Sequence, residues 1–333
     1  AITGAKELQM LGLAGKYTMI SREAMPGIRG LLVPYGLLYT PGAWVESMQV
    51  TKGSGTVQNG YESIAGQINV EWKKPEGREK LHLNAYVNEA VRSELNANAS
   101  FEVAPGLSTE ILAHTHHNVK EFDRNEDGFA DQPTGSMYIL GNRWRYTSGT
   151  GIVGQVNATY LYDDKFGGQV GYDEDDPQGL YGVVRKTRQF KVWGKNGFVF
   201  SQKRYQSIGF QWSYSELNQD LKFGNWNYTA DQNTAYGNLI FQSILGSTFH
   251  KYKAGLSVLH DKYNEVLDSN GVFSTDFSRK ETATGVFVEY TYAPGDNFSA
   301  VAGFRVDYNN IHGMLYTPRL HLRYALSDFT VLR

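Results

Sequence analysis

The strongest constraint on this chain of 333 residues is a period of two that recurs from about Lys80 to the end. Leu81, Leu83, Ala85 and Val87 alternate with His82, Asn84, Tyr86 and Asn88, and Val156, Ala158, Tyr160 and Tyr162 alternate with Gln155, Asn157 and Thr159. The same order sets Phe298, Ala300, Ala302, Phe304, Val306 and Tyr308 against Ser299, Val301, Gly303, Arg305 and Asp307. Successive side chains of a strand point to opposite faces, so each segment carries one apolar and one polar face. Two architectures satisfy that pattern: a soluble antiparallel sandwich with one wet face, and a membrane barrel with an apolar exterior and a polar lumen.

Aromatic placement and loop lengths favour the barrel. Apolar faces finish in Tyr160 and Tyr162, in Tyr290 and Tyr292, and in Tyr308, as an interfacial girdle requires. Short connections at Ala104–Gly106, Thr147–Gly151, Gly246–Thr248, Pro294–Asn297 and Ser327–Asp328 interleave with longer ones near Lys120–Thr134, Asp164–Gln189, Asn218–Asn233 and Asn264–Glu281. Outer-membrane barrels sort their loops in this way, short on the periplasmic side and long outside. No stretch approaches the ~18 apolar residues of a membrane helix. The longest, Gly30–Tyr39, is interrupted by Pro34, and Ala1–Met10 lacks the basic start and apolar run of a signal peptide. With 32 Lys and Arg against 34 Asp and Glu, the chain lacks the basic excess of a nucleic-acid binder. The absence of cysteine excludes disulfides and thiolate chemistry from these residues.

The reading is therefore an all-β membrane protein with an antiparallel transmembrane β-barrel. About twelve strands fit between Lys80 and Leu326, and another starts at Phe329. Strands in lipid must close into a ring, which predicts further strands beyond Arg333. Residues 1–76 differ, with short mixed segments typical of a small globular unit, and residues 77–333 form the barrel part. A unit of that size does not fit inside twelve strands; plugged lumens belong to barrels of about 22. The Gly53–Gly60 turn is expected to let the backbone approach the wall closely.

Trp44–Pro75 resembles the end of the plug domain of TonB-dependent outer-membrane transporters. Val45–Glu46, Val50, Lys52–Gly53, Gly60, Ile64–Ala65–Gly66 and Ile68–Asn69–Val70 match its motif in order and spacing, with Tyr61 after rather than before Gly60 and Gln67 in place of a second Gly. Upstream, Arg22–Glu23 stands where the family has Asp-Gly in its first plug turn. Downstream, Leu315–Tyr324 with its Thr317–Pro318–Arg319–Leu320 centre is similar to a mid-barrel strand. The overall look is closest to Bacteroidetes-type members. The resemblance implies a bacterial outer-membrane active-transport receptor, not an enzyme, of which this chain is the C-terminal part of the plug and about 12 of an expected 22 strands. It implies the TonB–ExbB–ExbD system and membrane lipid as partners, with a surface lipoprotein as a further candidate. The substrate would be scarce: a metal chelate, haem, cobalamin or a metal ion. The alternatives are a passive porin and a structural or secretion-associated barrel.

Candidate sites follow from position and donor spacing. Asp123, Asn125, Asp127, Phe129 (through its carbonyl) and Asp131 place oxygens at positions 1, 3, 5, 7 and 9 around Gly128, a spacing that suits Ca2+, although Thr134 replaces the usual Glu at 12. His114 and His116 share a strand face with Glu110 and are expected on the lumen wall near the outer mouth, where paired imidazoles suit copper, zinc or a haem-like ligand. Met25, Arg29, Tyr35 and Tyr39 are substrate-contact candidates as plug apices. The acidic run Asp173–Asp176 reads as a solvated loop.

Overall fold

The computed structural model describes residues 3–6, 8–76, 79–176, 178–269, 271–327 and 329–332. The expected turn at Ser327–Asp328 and the boundary after residue 76 each touch residues outside that set. The N-terminal unit carries four strands, β1 (Thr18–Arg22), β2 (Met25–Ile28), β3 (Val45–Lys52) and β4 (Gly66–Trp72), arranged β2–β1–β4–β3. β1 runs parallel to β4, and the other pairs are antiparallel.

The long strands then follow in sequence: β5 (Leu81–Val87), β6 (Ser93–Ala104), β7 (Leu107–Asn118), β8 (Thr134–Thr147), β9 (Ile152–Gly168), β10 (Gly182–Val199), β11 (Ser207–Phe223), β12 (Trp226–Leu245) and β13 (Ser247–Ser269). The short β14 (Phe273–Asp276) folds back on β13. β15 (Arg279–Gly295), β16 (Phe298–Asn309), β17 (Gly313–Ser327) and β18 (Thr330–Leu332) complete the sheet. Apart from β14, each strand pairs antiparallel with its neighbour in one unbroken path from β5 to β18. Among the described residues these two edges do not pair, so the sheet is an open arc.

The two faces of this arc invert the soluble arrangement. On β16, Phe304 and Tyr308 are 47% and 59% exposed, while Arg305 and Asp307 between them are 4% and 0%. The same holds on β9, where Tyr160 is exposed and Asn157, Thr159 and Asp163 are buried. A sheet whose polar face is covered and whose Leu, Val, Phe and Tyr face is bare is made for lipid. What covers the polar face is the N-terminal unit. Its Leu32, Tyr35, Tyr39, Trp44, Ile68, Val70 and Trp72 share one apolar cluster with Leu112, Met137, Ile139, Leu161 and Leu217 of the arc.

Two expected long loops prove to be strand. β11 and β12 run to a two-residue turn after Phe223, and β13 continues to Ser269. Around Asn218–Asn233 the outward positions are polar (Asn218, Asp220, Thr229, Asp231) while the inward ones include buried Leu221 and Ala230, so the apolar-outward pattern of the lipid-facing strands is lost. A strand projecting beyond the membrane is wet on both sides and still makes its ladder. The connection at 119–133 is long as expected, whereas strand takes both ends of the expected loop Asp164–Gln189, β9 running to Gly168 and β10 starting at Gly182. The close approach to the wall also differs in its glycine. Gly303 on β16, rather than a glycine of the Gly53–Gly60 turn, admits Val57: a Cβ there would stand 2.8 Å from the Val57 side chain.

Candidate functional site

Register builds the site at the outer end of the arc. Glu94, His116, Met137, Asp163 and Thr187 are successive partners across β6 to β10, and Lys165 pairs with Arg185 one step further out. Residues two apart on a strand share a face, so one row places all of these side chains inward. Between this wall and Leu38, Thr40, Pro41 and Gly42 of the N-terminal unit lies a cavity of about 290 Å³, which Arg92, His114 and Met137 also line.

The cavity is dominated by paired charge. Arg185 Nη2 donates to Asp163 Oδ2 at 2.6 Å, and the Tyr39 hydroxyl donates to the same oxygen at 2.9 Å. Burial, and then the Asp163 charge, push the Tyr39 hydroxyl well above its ordinary pKa, so it remains a donor. The Arg185 guanidinium lies 3.9 Å from the Tyr35 ring centroid. Arg92 Nε donates to His116 Nε2 at 3.1 Å, Lys165 Nζ lies 3.0 Å from His116 Nδ1, and Arg92 pairs with Glu94. His114 Nδ1 donates to Asn96 Oδ1 at 2.8 Å. Three basic side chains (Arg92, Lys165, Arg185) and two carboxylates (Glu94, Asp163) line the cavity, and each basic group lies within ion-pair distance of one of the two carboxylates.

Of the residues expected from sequence, His114 and His116 line this cavity, and Tyr39 and Tyr35 support it through Asp163 and Arg185. Arg29 lies elsewhere: it is ion-paired with Glu62 at 2.7 Å and with Asp261 of β13. Against burial, which lowers it, Glu62 and Asp261 raise the Arg29 guanidinium above its ordinary pKa. Met25 is 3% exposed and packs on Trp193 and Tyr236. A plug-apex position by sequence is therefore a wall contact in space, because the β1–β2 hairpin points sideways into the arc. Arg92, Glu94, Asp163, Lys165 and Arg185 are absent from the sequence-based set. The signal for Asp163 and Lys165 was their place on the inward face of β9, in phase with Asn157 and Thr159.

The Asp123–Asp131 loop folds on its own amides. Asp123 accepts from the N–H groups of Asp127 (3.1 Å) and Gly128 (2.8 Å), Asp127 from Phe129 N–H at 2.8 Å, and Asp131 from Arg124 N–H at 3.2 Å. Among the described residues, no group of three or more His, Asp or Glu side chains converges as a metal site.

Two further contact sets tie the N-terminal unit to the arc. Arg143, fully buried, donates to Glu23 at 2.8 Å, to Gln155 at 2.7 Å and to the Lys73 carbonyl at 2.9 Å. Burial raises the Glu23 carboxyl, but Arg143, a hydrogen bond from Glu71, and Lys195 outweigh it and bring Glu23 down to about 2. Burial and Glu23 raise Glu71. Arg319 donates to the carbonyls of Gly55 (2.6 Å), Thr56 (2.9 Å), Tyr61 (3.3 Å) and Ser63 (3.1 Å). The first-turn register also shifts by one: the two-residue turn is Glu23–Ala24, with φ of 54° and 57°, not Arg22–Glu23.

A lipid-facing antiparallel wall with a folded unit seated on its polar inner face defines an outer-membrane barrel of receptor type. The family model described as "TonB dependent receptor-like, beta-barrel" matches residues 109–333, and the chain belongs to that family. Its place is the bacterial outer membrane, and the family is one of transporters rather than enzymes. An iron-regulated outer membrane virulence protein of Vibrio cholerae is 20% identical over 95% of this chain and 48% of its own length. The alcaligin outer-membrane receptor FauA of Bordetella pertussis shares the fold with a TM-score of 0.72 at 11% identity, covering 98% of this chain and 56% of that one. The copper transporter OprC does so with a TM-score of 0.72 at 12% identity, covering 98% and 56%. The chain spans about half the length of the curated relatives it matches.

Proposed function

We propose that the protein containing this chain is an energy-coupled import receptor that takes up a negatively charged metal chelate, with residues 1–76 as part of its plug and the arc as part of a barrel of about 22 strands. The observation that carries the reading is the cation-rich cavity between the N-terminal unit and the outer end of the wall. Arg92, Lys165 and Arg185 suit carboxylate, catecholate or hydroxamate oxygens on a chelate, because charge-assisted bonds to such oxygens are the strong ones. A bare metal cation fits poorly there, since His116 is held between Arg92 and Lys165. The names of the relatives support iron: an iron-regulated protein and an alcaligin receptor stand among them, beside a copper transporter. The TonB system as energy source follows from the family. The Bacteroidetes-type subtype, and with it a surface lipoprotein partner, rests on the motifs alone. Calcium at Asp123, Asn125, Asp127, Phe129 and Asp131 rests on donor spacing alone.

Equilibrium binding of a panel of ferric chelates to the purified full-length receptor tests the site. At least one anionic chelate should bind saturably, and Lys165→Ala should weaken it by about tenfold, the loss of one charge-assisted contact. Binding of neutral or cationic chelates alone, or indifference to Lys165→Ala, would refute the anionic reading.

A further inference from the structure

Where the N-terminal unit meets the wall, buried basic side chains are matched by acceptors almost throughout. Arg143 faces Glu23, Arg185 and Lys165 face Asp163, and Arg305 faces Asp307. Arg29 pairs with Glu62 and Asp261, and Arg319 donates to four carbonyls of the loop at 55–63. Such matching is what burial requires, since a charge taken out of water without a partner is costly.

Two basic side chains depart from that rule, and they lie together. Lys191 of β10 is 8% exposed, and its ammonium, with three N–H donors, meets the Gly27 carbonyl alone, at 3.5 Å. Arg22 of β1 lies over the Trp72 ring at 4.4 Å and reaches the Tyr39 carbonyl at 3.5 Å and Thr40 Oγ1 at 3.4 Å, both long for such bonds. Among the described residues neither forms an ion pair, and the charges that act on Lys191 are those of Arg22 and Arg29, both positive. Glu23, the carboxylate that acts on Arg22, already accepts from Arg143, Gln155 and the Trp72 N–H.

Arg22 and Lys191 line one gap of about 20 Å³ between β1 and the wall. Gln189 and Thr159 border it as well, and Trp72, Ile139 and Leu161 make the rest of its surroundings apolar. The Thr159 hydroxyl donates to the Lys191 carbonyl at 3.4 Å, so the donors left to the gap are the ammonium, the guanidinium and the Gln189 amide. No carboxylate lines it among the described residues. A space of this volume takes one particle about the size of a water molecule, which is too little for sulfate or phosphate. Water there would leave both positive charges standing, whereas a halide ion neutralises one of them and accepts from every donor that faces it.

We propose that a single chloride ion binds in this gap, held by the Lys191 ammonium, the Arg22 guanidinium and the Gln189 amide, and that it seats β1 of the N-terminal unit on β10 of the wall. One ligand group comes from each body, so the ion bridges two positive charges that repel each other across the seam. Chloride binds the docked arrangement and not the undocked one, and its concentration therefore sets how firmly residues 1–76 are held. The site is separate from the cavity at the outer end of the wall and does not depend on what that cavity takes up.

Two measurements on the full-length protein test the site, and neither involves a chelate. Crystals in which bromide replaces chloride should show an anomalous peak within hydrogen-bonding reach of both Lys191 Nζ and the Arg22 guanidinium. In detergent solution, limited proteolysis of residues 1–76 is followed as sodium chloride replaces sodium gluconate at constant ionic strength. Cleavage should slow saturably, by about tenfold once chloride stands at about ten times its half-saturating concentration. Lys191→Met keeps the apolar stem and removes the charge, and should abolish both the peak and the chloride dependence. Where that variant does not fold, the peak and the chloride series of the parent decide between them. A peak without slower cleavage would be an adventitious ion only, and would overturn the proposal. Water or a carboxylate of another segment in the gap, equal cleavage in chloride and gluconate, or a chloride effect that persists in Lys191→Met would overturn it as well.

Discussion

Arg143 and Arg319 show how single side chains seat a domain. Arg143 lies with Glu23 in a fully covered place, and a buried charge stripped of its partner is costly. Arg143→Met is expected to weaken docking of residues 1–76 by roughly 3–5 kcal/mol. In limited proteolysis of the detergent-solubilised full-length protein, the segment should be cut in the variant and protected in the parent; equal protection would show that the pair contributes little. The pH dependence follows from Glu23, whose pKa falls from 4.5 to about 2 on folding. A carboxylate with a depressed pKa contributes stability in full above its unfolded value and loses it as pH falls through the folded one. Protection should therefore hold steady from neutral pH to about 5 and decline between about 4.5 and 2. Glu71 has the opposite sign: its raised carboxyl favours the protonated form, so its ionisation costs stability as pH rises. Glu71→Gln, a stand-in for the neutral acid, should raise protection at pH 7, and a drop there would contradict the assignment.

At the scale of elements, alternation carried the reading wherever a strand has lipid on one side. The inward Asn157, Thr159, Arg305 and Asp307 and the outward Tyr160, Phe304 and Tyr308 fall on the faces their spacing assigns. Alternation failed at the outer ends of β11 and β12, where the outward positions Asn218, Asp220, Thr229 and Asp231 are polar and look like loop. The contrast gives a substitution test. Val286, outward and 59% exposed near the middle of β15, should cost about 2–4 kcal/mol as Val286→Arg. Thr229, outward on the projecting part of β12, should cost about 0–1 kcal/mol as Thr229→Arg. Both are read as shifts in the denaturant midpoint of vesicle-inserted full-length protein, and equal costs would mean that the outer segment of β12 is also in lipid. The candidate site was half legible for a related reason. His114 and His116 stand out as rare residues on one face. Lys165 and Arg185 gain meaning only through the β9–β10 register that pairs them, and Arg92, just before β6, only through the fold that brings it and Lys165 to the same His116 ring; a single strand's pattern does not contain that.

For the whole molecule, the proposed import receptor joins a lipid-facing wall, a domain on its inner face and a cation-lined cavity between them. The measurement that bears on it most directly is uptake of radioactive iron, supplied as anionic ferric chelates, by cells whose only such receptor is the full-length protein. An energy-coupled receptor gives saturable uptake of at least one chelate that stops when the proton gradient is collapsed. Uptake that rises linearly with concentration and survives loss of the gradient would make the protein a passive pore and contradict it.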